Sequence, residues 1–298
     1  MTLLAVPNVS EGREKTKIDA IAAAFGPAEL LDVHSDPDHN RSVYTLAGEP
    51  GSLAEHVLAG AREALAQVDL ADQRGHHPRV GAIDVAPIVY LDDATRGAAC
   101  AEALVLADML GSELELPVFI YGELALGRTR AELRRGGPDE LARRIDAGEL
   151  TPDFGPRRMR GAAGAVLVAA RPPLIAFNLE LAPPATLEQA RAIAALIREG
   201  GSEGLRGVRA IGLFLEDKNV AQVSTNVEEH RNTSLAELVA AVERYARVAA
   251  VELVGLAPRE AWANFPEHVP IPGFDPDRHV IERALANSVP GYPPGRVS

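Results

Sequence analysis

The stretch Gly75-His-His-Pro-Arg-Val-Gly-Ala-Ile-Asp-Val-Ala-Pro87 sets two imidazoles and a guanidinium directly before an apolar run, Ile83 to Leu91. They therefore lie in a loop at the entrance of a strand. Histidine gives and takes protons near neutral pH, with an unperturbed pKa of about 6.5. Pro78 biases His77 toward extended backbone, and Gly81 permits a turn that other residues resist. Such a loop can hold one imidazole in a fixed pose, with Arg79 beside it to fix an anionic substrate and Asp84 close in sequence. A His-Pro pair taken alone is more often a surface loop without chemistry.

Four further groups carry candidate chemistry. His34, Asp36, Asp38 and His39, followed by Asn40 and Arg41, are the ligand types of a divalent metal site. Their spacing matches no zinc or calcium signature, so a solvated polar turn is the better reading and no metal is expected. The loop Gly155, Pro156, Arg157, Arg158, Met159, Arg160, Gly161, Ala162, Ala163 and Gly164 lets backbone approach a flat or charged ligand, and its arginines can meet carboxylates or phosphates. It has neither a Walker lysine nor a GxGxxG pattern. Tyr121 and Glu123 stand at the end of a strand, and Asn178 interrupts the apolar run Leu174 to Leu181, where a buried amide needs a partner. Glu216 to Asn219, with Gln222, Ser224 and Asn226, reads for the most part as a turn and one solvated sheet face.

The elements that must position these groups follow from periodicity and punctuation. Strands are expected at 3–9, 30–33, 43–47, 83–91 and 118–121, with a helix opened by Ser10-Glu11-Gly12 and carrying apolar Ile18, Ile21, Ala22 and Phe25, and helices over about 50–67 and 95–110. A helical stretch from Gly127 to Gly148 is split by Gly136-Gly137-Pro138, and strand-length runs follow at 165–170 and 174–181. Thr186 with Gln189 forms a capping-box pattern for a helix to about Arg198. Strands at 208–215 and 220–226, a helix from Thr233 or Ser234 to about Ala249, and a strand at 251–254 complete a β-α-β-β-α-β order, the split βαβ of a ferredoxin-like unit. The first half contains the same order. The fold class is therefore α+β, two ferredoxin-like (βαββαβ) subdomains with mixed sheets covered by helices. The expected division is 1–172, 173–262 and a Pro/Gly-rich tail, 263–298, with one short helix, which docks on a neighbour or stays mobile.

Composition narrows the function. The 298 residues are 47% hydrophobic, enough for one large or two ordinary cores, and only 4% aromatic. Thirty Lys and Arg against 42 Asp and Glu give a formal charge of −12, which argues against a surface built for nucleic acid. An anionic ligand must be met by a local basic patch. A single cysteine, Cys100, excludes a disulfide framework and a thiolate metal cluster. No apolar run approaches the roughly 20 residues that cross a membrane, and no leader pattern opens the chain, so a cytoplasmic location is expected.

Read together, Val6-Pro-Asn-Val-Ser-Glu-Gly12, Asn40-Arg-Ser-Val-Tyr-Thr45, His77-Pro-Arg-Val-Gly-Ala-Ile-Asp-Val85, Tyr121-Gly-Glu123, Asp153-Phe-Gly-Pro156, Leu174-Ile-Ala-Phe-Asn178 and Asp217-Lys-Asn-Val-Ala-Gln-Val-Ser-Thr-Asn226 resemble the formiminotransferase domain family. The likeness runs in order from about Leu3 to Ala261. It implies two ferredoxin-like subdomains and transfer of a formimino group from N-formimino-L-glutamate to N5 of tetrahydrofolate. It implies that His77, and not His76, is the acid/base, that Gly155 to Gly164 contacts folate, and that the domain is a homodimer. His34, Asn40, Arg41, Arg79, Tyr121, Glu123 and Asn178 are the candidate substrate-binding residues. Some members carry a cyclodeaminase domain behind this one; nothing of that length follows here, so a stand-alone transferase is expected. His34 stands where the family pattern has an aspartate, and the loop Gly155 to Gly164 is unusually rich in arginine. Those departures keep open an N-formylglutamate or other one-carbon transferase, or a folate-binding protein without catalysis.

Overall fold

In a computed structural model of the protein, which describes residues 2–75, 78–216 and 218–288, the chain forms two compact units, 1–172 and 173–287. His76, His77 and Asp217, and the tail beyond 288, lie outside the described residues.

The first unit begins with a strand in two pieces, β1 (Leu3–Ala5) and β2 (Asn8–Val9). Pro7, which has no amide proton, interrupts the expected single strand, although its carbonyl still accepts from Tyr44 N at 3.0 Å. Then come α1 (Lys15–Ala24), β3 (Glu29–Asp36), β4 (Arg41–Gly48), α2 (Leu53–Gln67), β5 (Ile83–Val89), α3 (Arg96–Glu113) and β6 (Val118–Ile120). Two short helices, α4 (Arg130–Arg134) and α5 (Gly137–Asp146), precede β7 (Val166–Arg171). Gly136 separates them at φ +78°, in the left-handed region that favours glycine.

The sheet runs β3, β4, the β1/β2 strand, β5, β7, β6. The first four positions are antiparallel neighbours in the ferredoxin-like order, and β7 and β6 extend them in parallel. Leu3, Ala5, Val9, Tyr44, Leu46, Ala86 and Ile88 face the core under α1, α2 and α3. Val85, Leu167, Ala169, Phe119 and Tyr121 face a second core with Leu133 of α4 and Leu141 and Ile145 of α5.

β3 is longer than expected. It takes in His34, Ser35 and Asp36, which pair with Val43, Ser42 and Arg41. Cross-strand pairing along the whole of β4 overrides the polar composition that suggested a loop. The turn that remains is Pro37 to Asn40, with Asn40 in the left-handed region at φ +47°.

The second unit contains β8 (Ile175–Leu181), α6 (Leu187–Ile197), β9 (Val208–Leu215), β10 (Val220–Val227), α7 (Leu235–Glu243) and β11 (Val248–Val254). Its antiparallel sheet has the order β11-β8-β10-β9, the ferredoxin-like arrangement. Odd-numbered residues of β8 and β10 form a core with α6 and α7. Ser234 and Glu237 cap α7 reciprocally. Thr186 makes only half of the expected box: it accepts from Gln189 N at 3.2 Å, but the Gln189 side chain reaches Tyr245 O instead. Helix α7 ends six residues early because Val248 already belongs to β11. Residues 263–287, including α8 (Pro276–His279) and α9 (Ile281–Asn287), lie on this unit: Val269 enters its core, and Trp262, Phe265 and Phe274 pack against it. No helix among the described residues is long and apolar enough to cross a membrane.

Helices α1 and α2 meet at a glycine. A Cβ on Gly60 would come within 2.2 Å of the Phe25 ring, itself 1% exposed. In an open helix Gly to Ala gains about 1 kcal/mol. Here Gly60→Ala should instead lower unfolding free energy, by about 1–3 kcal/mol in urea titration. A gain in stability would contradict this packing.

Candidate functional site

The residues with chemistry converge where β2, β4 and β5 lie side by side. Asn8 of β2 pairs in register with both Val43 and Val85, so its side chain stands over the middle of that trio. A register shift beside it, between Asn8 and Val9, leaves Asp84 of β5 in the irregularity. Asp84 is 1% exposed. Its Oδ2 accepts from Arg41 Nη1 at 3.0 Å and from Arg134 Nη2, and its Oδ1 accepts from the backbone N of Val80 at 2.9 Å. Arg41 also donates from Nε to Asn8 Oδ1 at 2.9 Å and again from Nη2. One carboxylate thus joins the base of the loop at 75–80 to guanidiniums from β4 and α4.

Two guanidiniums meet one carboxylate, and Arg130 stands close enough to repel Arg41. Burial, offset by Asp84 and reinforced by Arg134 and Arg130, pulls Arg41 down to about 9, which leaves it charged at neutral pH. Arg79 is also lowered, by burial first and by Arg13, against the attraction of Asp84; it donates to Gly75 O at 2.9 Å. Arg130 lies over the Tyr121 ring, 5.7 Å from its centroid. Tyr121 is buried, and its hydroxyl has no hydrogen-bond partner among the described residues. Such a cluster is suited to a ligand carboxylate.

Neighbouring loops hold the cluster's rim. Asn40 is buried, accepting from Gly12 N at 2.9 Å and donating to Arg74 O at 3.0 Å. Gln73 Nε2 ties Asn40 O at 2.6 Å to Ser10 O at 3.2 Å. His39 is buried too, with its N held by Asp36 Oδ1 at 2.8 Å. The expected solvated turn is therefore partly interior, because these side chains stitch the loops at 10–12, 36–41 and 73–75 together. No three His, Cys, Asp or Glu among the described residues form a group that could hold a metal.

The loop Gly155 to Gly164 borders the loop at 75–81. Gly81 and Gly164 form an antiparallel bridge, Ala82 N donates to Ala163 O at 2.9 Å, and Leu70 N donates to Ala162 O at 3.0 Å. The approach requires glycine on both sides: a Cβ on Gly81 would lie 1.9 Å from Ala165 O, and one on Gly164 2.2 Å from Val80 O. Arg157, Arg158 and Arg160 are exposed, and Arg160 donates to Leu114 O.

The formiminotransferase domain family matches this chain in two consecutive parts, its N-terminal subdomain over residues 2–171 and a formiminotransferase domain over residues 176–268. The chain belongs to that family. A glutamate formimidoyltransferase of Streptococcus pyogenes serotype M1 is 33% identical over 292 residues, covering 94% of this chain and 97% of that protein. One from Thermoplasma acidophilum is 34% identical over 294 residues, 94% and 96% of the two chains. The formimidoyltransferase-cyclodeaminase of Mus musculus is 38% identical over 276 residues, and the chain spans about half the length of that relative, 50%.

Against this formiminotransferase domain, the sequence expectations fall in different places. Arg41, Arg79 and Tyr121 belong to the cluster around Asp84, and Asn40 to its rim. His34 faces Val43 across β3 and β4, as Asn8 does from the other side, so the two share a sheet face. Glu123 is engaged elsewhere, with Arg96 at 2.5 Å and Cys100 at 3.9 Å. Asn178 belongs to the second unit, where it donates to Glu252 Oε2 at 2.9 Å. His76 and His77 lie outside the described residues. Sequence reasoning missed Asn8, Arg130 and Arg134. Asn8 stands inside a motif that carried the family likeness, whereas nothing in the pattern of α4 sets Arg134 apart from Arg135.

Removing the Asp84 charge takes from Arg41 and Arg134 the buried carboxylate they share, a loss of about 3–5 kcal/mol in comparable pairs. Asp84→Asn should lower the unfolding free energy from urea titration by that order, and a change under about 1 kcal/mol would show that the carboxylate does not hold the cluster.

Proposed function

We propose that the protein is a glutamate formimidoyltransferase, carrying the formimino group of N-formimino-L-glutamate to tetrahydrofolate as a cytoplasmic homodimer. The observation that carries this reading is the buried cluster in which Arg41 and Arg134 converge on Asp84, with Arg79 and Arg130 close by. The two glutamate formimidoyltransferases matched over nearly their whole lengths support it.

Arg41, Arg79 and Arg134 hold the donor's carboxylates, with Arg41 oriented by Asn8 and Asp84. Bidentate guanidinium contacts fix both position and rotation, which brings the formimino carbon to one defined place. Tyr121, under Arg130, offers its unsatisfied hydroxyl to the same ligand. Asn40 keeps the rim closed, and His34 lines the shared sheet face. Glu123 and Asn178 are assigned no donor contact.

The residues present suit the co-substrate. The loop Gly155 to Gly164 offers exposed backbone and exposed arginines for the anionic tail, close beside the loop at 75–81. Tetrahydrofolate supplies, when bound, the nucleophilic amine N5, whose bond to the formimino carbon forms as the donor's carbon–nitrogen bond breaks. His77 takes the proton that N5 sheds and returns it to the departing glutamate amine, so no net proton is gained or lost. A positioned imidazole with a pKa near neutrality typically contributes 10²–10⁴-fold to such a step.

Two measurements test this. His77→Ala should lower tetrahydrofolate-dependent consumption of N-formimino-L-glutamate by about 10²–10⁴-fold with little change in the donor's KM; unchanged turnover would remove His77 from the mechanism. A donor screen with tetrahydrofolate present and absent should show turnover of N-formimino-L-glutamate only with folate. Preference for N-formyl-L-glutamate would reassign the donor, and binding without turnover of any donor would exclude an enzyme.

A further inference from the structure

Ser10 stands first in Ser10-Glu11-Gly12, the stretch that announces a helix, yet it caps none: α1 begins at Lys15, with Glu14 in the capping position. Its polar atoms turn to another part of the chain. Ser10 follows β2 directly and is 3% exposed. Its Oγ donates to Gly81 O at 2.8 Å, and its N donates to Ala82 O at 2.8 Å. Its carbonyl accepts from Gln73 Nε2 at 3.2 Å, and the same Nε2 donates to Asn40 O at 2.6 Å. Gln73 is buried as well. One residue at the end of β2 thus bonds to the chain on both sides of the loop at 75–81, to Gln73 before it and to Gly81 and Ala82 at its close. The partners lie 63 and 71 residues away in sequence, so these are contacts that only the fold creates.

A loop joined to its strands by chain continuity alone samples many conformations, and bonds that pin both of its ends to a buried strand remove them. Within the loop, Arg79 donates to Gly75 O at 2.9 Å and Val80 N donates to Asp84 Oδ1 at 2.9 Å. Arg79 therefore belongs to a short segment whose two ends meet at Ser10. We propose that Ser10 is a positioning residue for the transfer reaction: by tying both ends of the loop at 75–81 to β2, it fixes where the Arg79 guanidinium meets the donor's carboxylates. This rests on the donor-binding reading of Arg79 above and deepens it. A hydroxyl suits the task because it donates to a buried carbonyl, and alanine at this position would take that donor from Gly81 O. Guanidinium contacts with a carboxylate depend on position and angle, and a displacement of about 1 Å can cost about 10²-fold in rate.

The test is steady-state kinetics of the whole chain with N-formimino-L-glutamate at saturating tetrahydrofolate, at a temperature well below the melting point of every variant. The donor KM is measured for wild type, S10A, Q73M and R79M, and for S10A and Q73M each combined with R79M. S10A removes the bond to Gly81 O. Q73M, near in shape and apolar, removes the bond to Ser10 O and leaves the serine in place, so it decides the matter if S10A does not fold. S10A and Q73M should each raise the donor KM at least fivefold and R79M at least tenfold, and neither of the first two should add more than twofold to R79M. A merely structural role would raise KM by the same factor in both backgrounds. That result, or a donor KM within twofold of wild type in both S10A and Q73M, would overturn the proposal. Absence of turnover in wild type, or a KM for R79M equal to that of wild type, would instead remove the donor reading of Arg79 itself, so the two failures are distinguishable.

Discussion

The ion triad of Arg41, Asp84 and Arg134 is the interaction that fixes the arrangement of the first unit's candidate site. Its three members come from β4, β5 and α4, and its fourth contact, to Val80 N, reaches the loop at the strand's entrance. Taking three charges out of water is expensive, and such groups are often no more stabilising than apolar residues of the same volume. What they supply is a fixed arrangement: the carboxylate cannot release either arginine without stranding a buried charge. Arg41 and Arg134 are therefore held rigidly, in a protein whose average charge is strongly negative.

Glycines solve a second problem, that of bringing the loops at 75–81 and 155–164 into contact. The bridge between Gly81 and Gly164 places backbone where any side chain would collide with a carbonyl. The close approach also explains why β7 lies beside β5. Ala165 N donates to Val80 O at 2.9 Å immediately before β7 begins, so the loop contact and the parallel strand pairing share one register.

Much of this was legible in the sequence because the signals are local. Alternation and helical spacing located the strands and helices of both units, Gly136-Gly137-Pro138 marked the break between α4 and α5, and Ser234 marked the start of α7. The misreadings have a common cause in tertiary pairing. Polar His34, Ser35 and Asp36 looked like loop, yet they complete β3 against β4. Gln222, which is buried, looked solvated because alternation says which face a residue takes and nothing about what covers it. Arg134 was invisible for a related reason: its partner Asp84 is 50 residues away, and only the fold brings the two together. Glu123, at a strand's end, meets Arg96 at the start of α3, a pairing that the sequence did not announce.

The proposed role of the guanidiniums around Asp84 is to hold the donor's carboxylates. The most direct measurement is kcat/KM of the wild-type protein for N-formimino-L-glutamate against the same donor with both carboxylates converted to carboxamides, at saturating tetrahydrofolate. Loss of two charge-assisted contacts of about 1.5–3 kcal/mol each predicts a fall of at least about 10²-fold for the diamide. Equal kcat/KM for the two donors would contradict the account.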